Sequence, residues 1–157
     1  MKHTISVLVE NKPGVLARIS GLFSARGFNI DSLAVGETED PTVSRMTIVV
    51  DAKDERVLEQ IVKQLRKLID TISVVDLTKK EFIHRELVLI KVNFNKDNKT
   101  KLISLIRKYE AELIDTKENI AIIEICSESE KVKEFLEQLK VFGIKELMRT
   151  GRVAMAI

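Results

Sequence analysis

The strongest constraint on the fold is an order of strand, helix, strand, strand, helix and strand that the chain carries twice. In the first copy, apolar residues alternate over residues 5–9, recur at helical spacing over 15–23, and then alternate again in two stretches. Helical spacing returns over 57–69, and a last strand is predicted at 72–78. Strands and helices that are apolar on one side only must cover one another. The pattern therefore predicts an antiparallel sheet with its helices on one face.

The second copy follows a short polar connector. Its strands are predicted at residues 87–94, 113–116 and 120–126, its helices at 102–109 and 132–139, and a closing strand after Gly143. Two such copies in 157 residues predict an α+β protein of two tandem ferredoxin-like βαββαβ sandwiches. The predicted domains are 1–78 and 85–157, joined by a connector at 79–84.

Charge and composition exclude several classes of partner. The 26 Lys and Arg residues nearly balance the 24 Asp and Glu residues, and no basic stripe is present, so no nucleic-acid partner is predicted. No apolar stretch reaches the roughly 20 residues that a membrane helix needs. We therefore expect a cytoplasmic protein without a membrane segment. The single cysteine, Cys126, lies in an apolar strand and is predicted to be a small buried hydrophobic residue.

The chain shows no spacing of residues that is typical of a catalytic or metal site. His3 and His84 are predicted at the start of the first strand and in the connector, and Cys126 has no histidine near it in sequence. A nucleophile, a base and an orienting group must lie within reach of one another. We therefore predict no catalytic residue and no bound metal.

The loop after the first strand is the most informative segment. Residues 11–14 lead through a Pro-Gly turn into the helix that begins near Val15. The first amides of a helix lack partners within the helix and carry the positive end of its dipole, so they favour an anion. Gly14 has no Cβ to keep a ligand away from them. The loop predicts a site for a small anion or an amino acid, although a plain turn beside core residues fits it too.

One enzyme family offers an alternative reading of this loop. Acylphosphatases share the ferredoxin-like fold and hold a phosphate in a glycine-rich loop after the first strand, with an arginine inside the helix. Residues 14–18, which end in Arg18, superficially resemble that loop. The third predicted strand, residues 43–50, contains no asparagine to position a water molecule. Acylphosphatase activity is therefore the weaker hypothesis.

Two levels of family resemblance follow from these segments. Residues 11–16 and 27–30 resemble an ACT domain, a ligand-sensing module of amino-acid pathways. In addition, residues 27–35, 40–48, 57–70, 85–92 and 149–151 resemble the regulatory small subunits of acetolactate synthase. This second resemblance covers essentially the whole chain.

The resemblance implies a regulatory subunit without catalytic activity in branched-chain amino acid biosynthesis. Such a subunit binds the catalytic large subunit, raises its activity and confers feedback inhibition by valine. The large subunit would carry thiamine diphosphate, Mg2+ and FAD, and this chain would carry no cofactor. A sensor of another amino acid that acts on a different partner is the alternative. A methylene group changes binding by only about 1 to 3 kcal/mol, so the residues alone do not separate valine from leucine or isoleucine.

In the family, the effector lies between the ACT domains of a homodimer. The resemblance therefore implies that the first loop of one chain faces the second strand of its partner. The backbone amides of Val15 and Leu16 would bind the effector carboxylate, the Asn29 side chain would hydrogen-bond its ammonium or carboxylate, and apolar side chains would enclose its isopropyl group. The implied effector-binding residues are Asn11, Gly14, Val15, Leu16, Asn29, Ile30, Asp31 and Leu33.

Small residues on the first helix agree with a dimer. Ala17, Gly21 and Ser24 recur at spacings of four and three, and small residues let another chain approach closely. The same stripe also fits a helix side that simply faces water. The second copy of the pattern has no glycine at the positions that match Gly14 and Gly27. The sequence therefore predicts a ligand loop in the first copy only.

Overall fold

The computed structural model describes all residues from Met1 to Ile157. The chain divides into two compact units, one of Met1–Ile83 with Arg152–Ile157 and one of His84–Gly151. Each unit contains an antiparallel sheet and two α-helices, which confirms the predicted α+β class and the repeated order of elements. No helix has both the length and the apolar composition needed to cross a membrane.

The first unit follows the predicted βαββαβ order. Its sheet has the strand order β2-β3-β1-β4, so β2 and β4 are its edges. The elements are β1 (Lys2–Glu10), α1 (Val15–Ser24), β2 (Ile30–Glu37), β3 (Val43–Asp51), α2 (Glu55–Lys67) and β4 (Thr71–Asp76), followed by a short 3-10 helix at Leu77–Lys79.

Alternation along β1 decides which side of this sheet is the core. Ile5, Val7 and Val9 are buried together with apolar residues of α1 and α2. Helix α2 is well specified at its start, because the Asp54 side chain accepts a hydrogen bond from the Arg56 amide at 2.9 Å. It ends at Lys67, so the helical repeat predicted to run to residue 69 is too long, and Ile69 is 92% exposed.

The second unit repeats the order with its own core. Its sheet has the order β6-β7-β5-β8. The elements are β5 (Phe82–Asn93), α3 (Lys99–Lys108), β6 (Glu112–Lys117), β7 (Ile120–Ser127), α4 (Ser129–Leu139), a 3-10 helix at Lys140–Phe142, and β8 (Ile144–Arg149). The region predicted as a connector, residues 79–84, is therefore partly strand.

The last six residues differ from the predicted domain boundaries, which placed them in the second domain. Arg152–Ile157, which contains the last strand, β9 (Val153–Ala156), belongs to the first unit. The Arg152 amide donates to Ser32 Oγ at 2.8 Å, and its guanidinium donates to Thr4 Oγ1 at 3.1 Å. Gly151, at a φ of 78°, turns the backbone before this segment. Contacts between residues this far apart in sequence produce no local sequence pattern from which the boundary could be predicted.

Cys126 corrects another prediction, because it is exposed and not buried. It lies opposite Leu87 in the β5–β7 pairing, whereas its neighbour Ile125 lies opposite Val88 in the core. Successive side chains of a strand point to opposite faces. Helices α3 and α4 contribute to the core on one face only, so an apolar run in β7 does not bury every residue.

Candidate functional site

The β1–α1 loop has the tight conformation that its Pro-Gly sequence predicts. Gly14 immediately precedes α1 with φ 86° and ψ −10°, a left-handed conformation that glycine adopts without steric cost. Its carbonyl accepts a hydrogen bond from the Arg18 amide at 3.0 Å, and the Asn11 amide donates to the Thr42 carbonyl at 2.7 Å. The loop is thus tied to the helix that follows and to the turn before β3.

The free amides lie one residue further along than the sequence prediction placed them. The prediction used the amides of Val15 and Leu16, but the Val15 amide donates to the Lys12 carbonyl at 3.4 Å. The structure gives no acceptor for the amides of Leu16 and Ala17, and Gly14 has no side chain to cap them. The first turn of α1 also contains no acidic residue. Ala17 is therefore a candidate contact that the sequence reasoning did not name.

Side chains of the loop have different environments. Val15 is 3% exposed and belongs to the core, whereas Leu16 is 46% exposed. The Asn11 side-chain amide donates to Glu37 Oε1 at 3.1 Å and to the Pro41 carbonyl at 2.9 Å. Asn11 therefore holds the loop next to the end of β2.

The turn that accepts these bonds is stabilised by Asp40. Its carboxylate accepts hydrogen bonds from the Thr42 hydroxyl at 2.7 Å and from the Thr42 amide at 2.9 Å. These bonds hold the pKa of Asp40 below its ordinary value, chiefly through the Thr42 hydroxyl. On the loop itself, the hydrogen bond to Glu10 raises the pKa of Lys12.

The second predicted segment, at the start of β2, is shaped by a β-bulge. Ile30 pairs with Val50 and Ser32 with Val49, so one extra residue, Asp31, lies between two pairs of the ladder. The bulge places Ile30 and Leu33, three residues apart, on the same side, and both pack against the core. Regular alternation would have placed them on opposite sides.

The polar residues of this segment contact one another. Asn29 is exposed, and its side-chain amide donates to Asp31 Oδ1 at 2.9 Å. The other oxygen of Asp31 lies 3.6 Å from Lys2 Nζ. Both groups are accessible to a ligand at the start of β2.

The structure does not bring the two predicted segments together within one chain. Glu10 pairs with Val43 at one end of the sheet, whereas Ile30 pairs with Val50 at the other end. These positions are separated by seven residues of β3, which is roughly 23 Å at about 3.3 Å per residue. The loop and the start of β2 therefore cannot contact the same small molecule within a single chain.

The surface beside these segments is open. β2 is an edge strand, and Val35 on it is 46% exposed. Ala17, Gly21 and Ser24 on α1 are all exposed, and a Cβ at Gly21 would meet no atom within 4 Å. An unpaired edge strand presents backbone groups that can pair with another chain.

Two features of the second unit escaped the sequence analysis. His84, Glu128 and Glu130 bring possible metal ligands within 4.8 Å of one another, although they are far apart in sequence. Both glutamates are exposed, and Glu128 lies 3.4 Å from Arg85 Nη1, so one of them is already engaged in a surface ion pair. A cavity of about 580 Å³ is lined in part by Asn93, Asn95, Asn98 and Asn119.

The acylphosphatase reading finds little support in this geometry. Arg18, which would have to bind a phosphate, contacts the carboxylate of Asp70 through its Nε at 2.7 Å. β3 contains no asparagine. The arginine is thus already engaged by an acid of the same chain.

Comparison with known proteins identifies the family to which this chain belongs. Residues 5–73 match the family model of an AHAS small subunit-like ACT domain, and residues 85–157 match that of the small subunit of acetolactate synthase. The probable acetolactate synthase small subunit of Archaeoglobus fulgidus is 50% identical over 155 residues, which is 99% of this chain and 96% of the relative.

The chain belongs to the acetolactate synthase small-subunit family. The family member from Mycolicibacterium smegmatis is 46% identical over 98% of this chain and 90% of its own length. The crystal structure of the small subunit of Thermotoga maritima superposes with a TM-score of 0.90 at 40% identity. It covers 100% of this chain and 98% of its own, so both units have the arrangement of elements found in the family.

Proposed function

We propose that this family member activates the catalytic large subunit of acetolactate synthase and makes it sensitive to feedback inhibition by valine. The large subunit would supply thiamine diphosphate, Mg2+ and FAD, and this chain would contribute no cofactor and no catalytic residue. The relatives are named as small subunits of that enzyme. Beyond what those names state, we propose that valine is the effector, that the chain forms a homodimer, and that it activates the large subunit.

The observation that carries the proposal is the separation of the two site segments within one chain. Asn11 is hydrogen-bonded to Glu37, so the loop lies beside the end of β2, and Asn29 lies beside its start. If two β2 edges pair antiparallel about a two-fold axis, the end of each β2 lies next to the start of the other. Two equivalent sites then form, each with a loop from one chain and Asn29–Asp31 from its partner.

The chemistry of each half fits one end of an amino acid. The amides of Leu16 and Ala17, at the positive end of α1, can bind the effector carboxylate. The Asp31 carboxylate and the Asn29 side chain of the partner can bind its ammonium group. Leu16 and Ile30 can contact the isopropyl group. Val15 and Leu33 would support these residues from the core.

Regulation requires the effector to bind the two states of the complex differently. A dimer-bridging ligand does so if the active and inhibited complexes differ in the relative position of the two ACT domains. A coupling of about 1 to 3 kcal/mol would change activity or affinity by roughly fivefold to a hundredfold. A small number of hydrogen bonds to the effector can supply a free energy of this size.

Titration calorimetry of the full chain with valine, leucine and isoleucine tests the proposal. We expect one valine per chain in a dimer, and inhibition of the reconstituted enzyme over the same valine concentrations. A folded dimer that gives no heat with millimolar valine would contradict the valine assignment. Heat with an unrelated amino acid would instead favour a sensor for a different pathway.

A further inference from the structure

Arg18 and Asp70 form an ion pair that joins α1 to the start of β4. Arg18 Nε donates to Asp70 Oδ2 at 2.7 Å, and Arg18 Nη2 lies 2.5 Å from the same oxygen. The two residues are 52 positions apart, and Asp70 is only 8% exposed. This pair is therefore a tertiary contact with a buried acid. The nearby pair of Lys12 and Glu10, at the β1–α1 loop, is exposed.

The position of Arg18 in the helix calls for a physical explanation. It lies in the first turn of α1, where the helix dipole disfavours a cation, and no acid in that turn compensates it. Asp70 supplies the compensating charge from outside the helix. A buried carboxylate that loses a cationic partner is strongly destabilised, so Asp70 depends on Arg18.

The same two residues hold both ends of the glycine loop. The Asp70 carbonyl accepts a hydrogen bond from the Glu10 amide at 2.9 Å, where β1 ends. The Arg18 amide donates to the Gly14 carbonyl at 3.0 Å, where α1 begins. A Cβ on Gly14 would lie 3.1 Å from Arg18 Nη1, so the guanidinium packs on the face of the loop that glycine leaves bare.

We infer that Arg18 and Asp70 are a positioning pair for the effector loop. The pair fixes residues 10–14 and the first turn of α1, and so keeps the amides of Leu16 and Ala17 in the geometry that binds the effector carboxylate. Neither residue needs to touch the effector. The effect on valine affinity rests on the proposed function, whereas the effect on the loop can be measured without any ligand.

Amide hydrogen exchange tests the effect on the loop. In Asp70→Asn and Arg18→Lys we expect exchange of the Glu10 and Arg18 amides to accelerate at least tenfold, relative to amides in the middle of β3. The control Glu10→Gln breaks the exposed pair with Lys12 and should leave these rates within about twofold. Uniform acceleration across the first unit would mean that the pair only adds global stability, and would overturn the inference.

Valine titration of the same variants tests the consequence for the effector. We expect Asp70→Asn to weaken valine binding about tenfold or more, Arg18→Lys to weaken it less, and Glu10→Gln to leave it unchanged. If the wild type binds valine and Asp70→Asn binds it with an affinity within twofold of the wild type, the inference is overturned. The proposed function would not be affected by that result. No binding by the wild type would contradict the proposed function, and hydrogen exchange would still decide whether the pair positions the loop. If Asp70→Asn does not fold, Arg18→Lys supplies both measurements.

Discussion

Each unit has a loop between its first strand and its first helix, and the two loops are held in place by different contacts. Each helix leaves two early amides without an acceptor, Leu16 and Ala17 in α1, and Thr100 and Lys101 in α3. Free amides alone therefore do not distinguish the loops. The difference lies in the residue that precedes the helix, which is Gly14 in the first unit and Asn98 in the second.

The second loop is held by its own side chains. Asn95 Oδ1 accepts hydrogen bonds from the amides of Asp97 and Asn98, and the Asn98 side chain donates to the Asn93 carbonyl. Within the first loop the side chains form only the exposed pair of Lys12 and Glu10. The other side-chain bonds come from contacts to other elements, through Asn11 to the β2–β3 turn and through Arg18 to Asp70. The asparagines of the second loop therefore bind within that loop, whereas other elements of the first unit position the first loop. The proposed effector site lies in the loop that other elements position.

Replacing Gly14 is expected to have the largest effect on this comparison. Gly14→Val places a β-branched residue at a φ of 86°, costs about 1 to 3 kcal/mol in backbone strain, and fills the space beside Arg18. We expect inhibition by valine to be lost and activation of the large subunit to persist. The measurement is the activity of the reconstituted enzyme across a valine titration.

The matched control is Asn98→Ala at the corresponding position of the second loop. It should lower stability modestly and leave the valine response unchanged. If Gly14→Val removes activation together with inhibition while the protein stays folded, sensing and activation are not separable as proposed. If Asn98→Ala also removes the valine response, the contrast between the loops is wrong.

A stability measurement in the second unit comes next in expected size. Gly143 has a φ of 80°, and a Cβ there would lie 2.5 Å from Asn93 Nδ2. Gly143→Ala should therefore lower the free energy of unfolding by about 1 to 2 kcal/mol. Gly36→Ala, on β2 where a Cβ meets nothing within 4 Å, is the control in the first unit. Denaturant titrations compare the two, and equal losses would contradict the assigned steric role.

The smallest expected effect concerns pH and the turn that holds Asn11. The pKa of Asp40 is lower in the folded chain than its ordinary value, so the unfolded state binds a proton first as the pH falls. The stabilisation by Asp40 is present above the ordinary pKa of an aspartate, about 3.9, and is lost as the pH falls through the lower, folded value. The NMR chemical shift of the Thr42 amide should change with pH as Asp40 titrates. In Asp40→Asn this pH-dependent change should be absent. A shift that is independent of pH would show that the carboxylate does not hold the turn.

The sequence predicted those parts of the molecule that local patterns determine. Alternation and helical spacing located both βαββαβ units, and the Pro-Gly turn located the loop before α1. Tertiary features were missed because they join distant residues. Examples are the ion pair of Arg18 with Asp70, the bonds of Arg152 to the first unit, and the bulge at Asp31 that reorients Ile30. Cys126 is exposed because the helices cover only the other face of its strand. A continuous apolar run does not indicate which face of the strand is covered.

A site shared between two chains is the central claim, and mixing two inactive variants tests it most directly. Gly14→Val damages the loop half and Asn29→Ala the β2 half, so neither homodimer should bind valine tightly. In a heterodimer of the two, one site carries both substitutions and the other carries none. We predict that calorimetry of purified heterodimers finds one valine per dimer with wild-type affinity. Heterodimers that bind no valine would contradict the shared site.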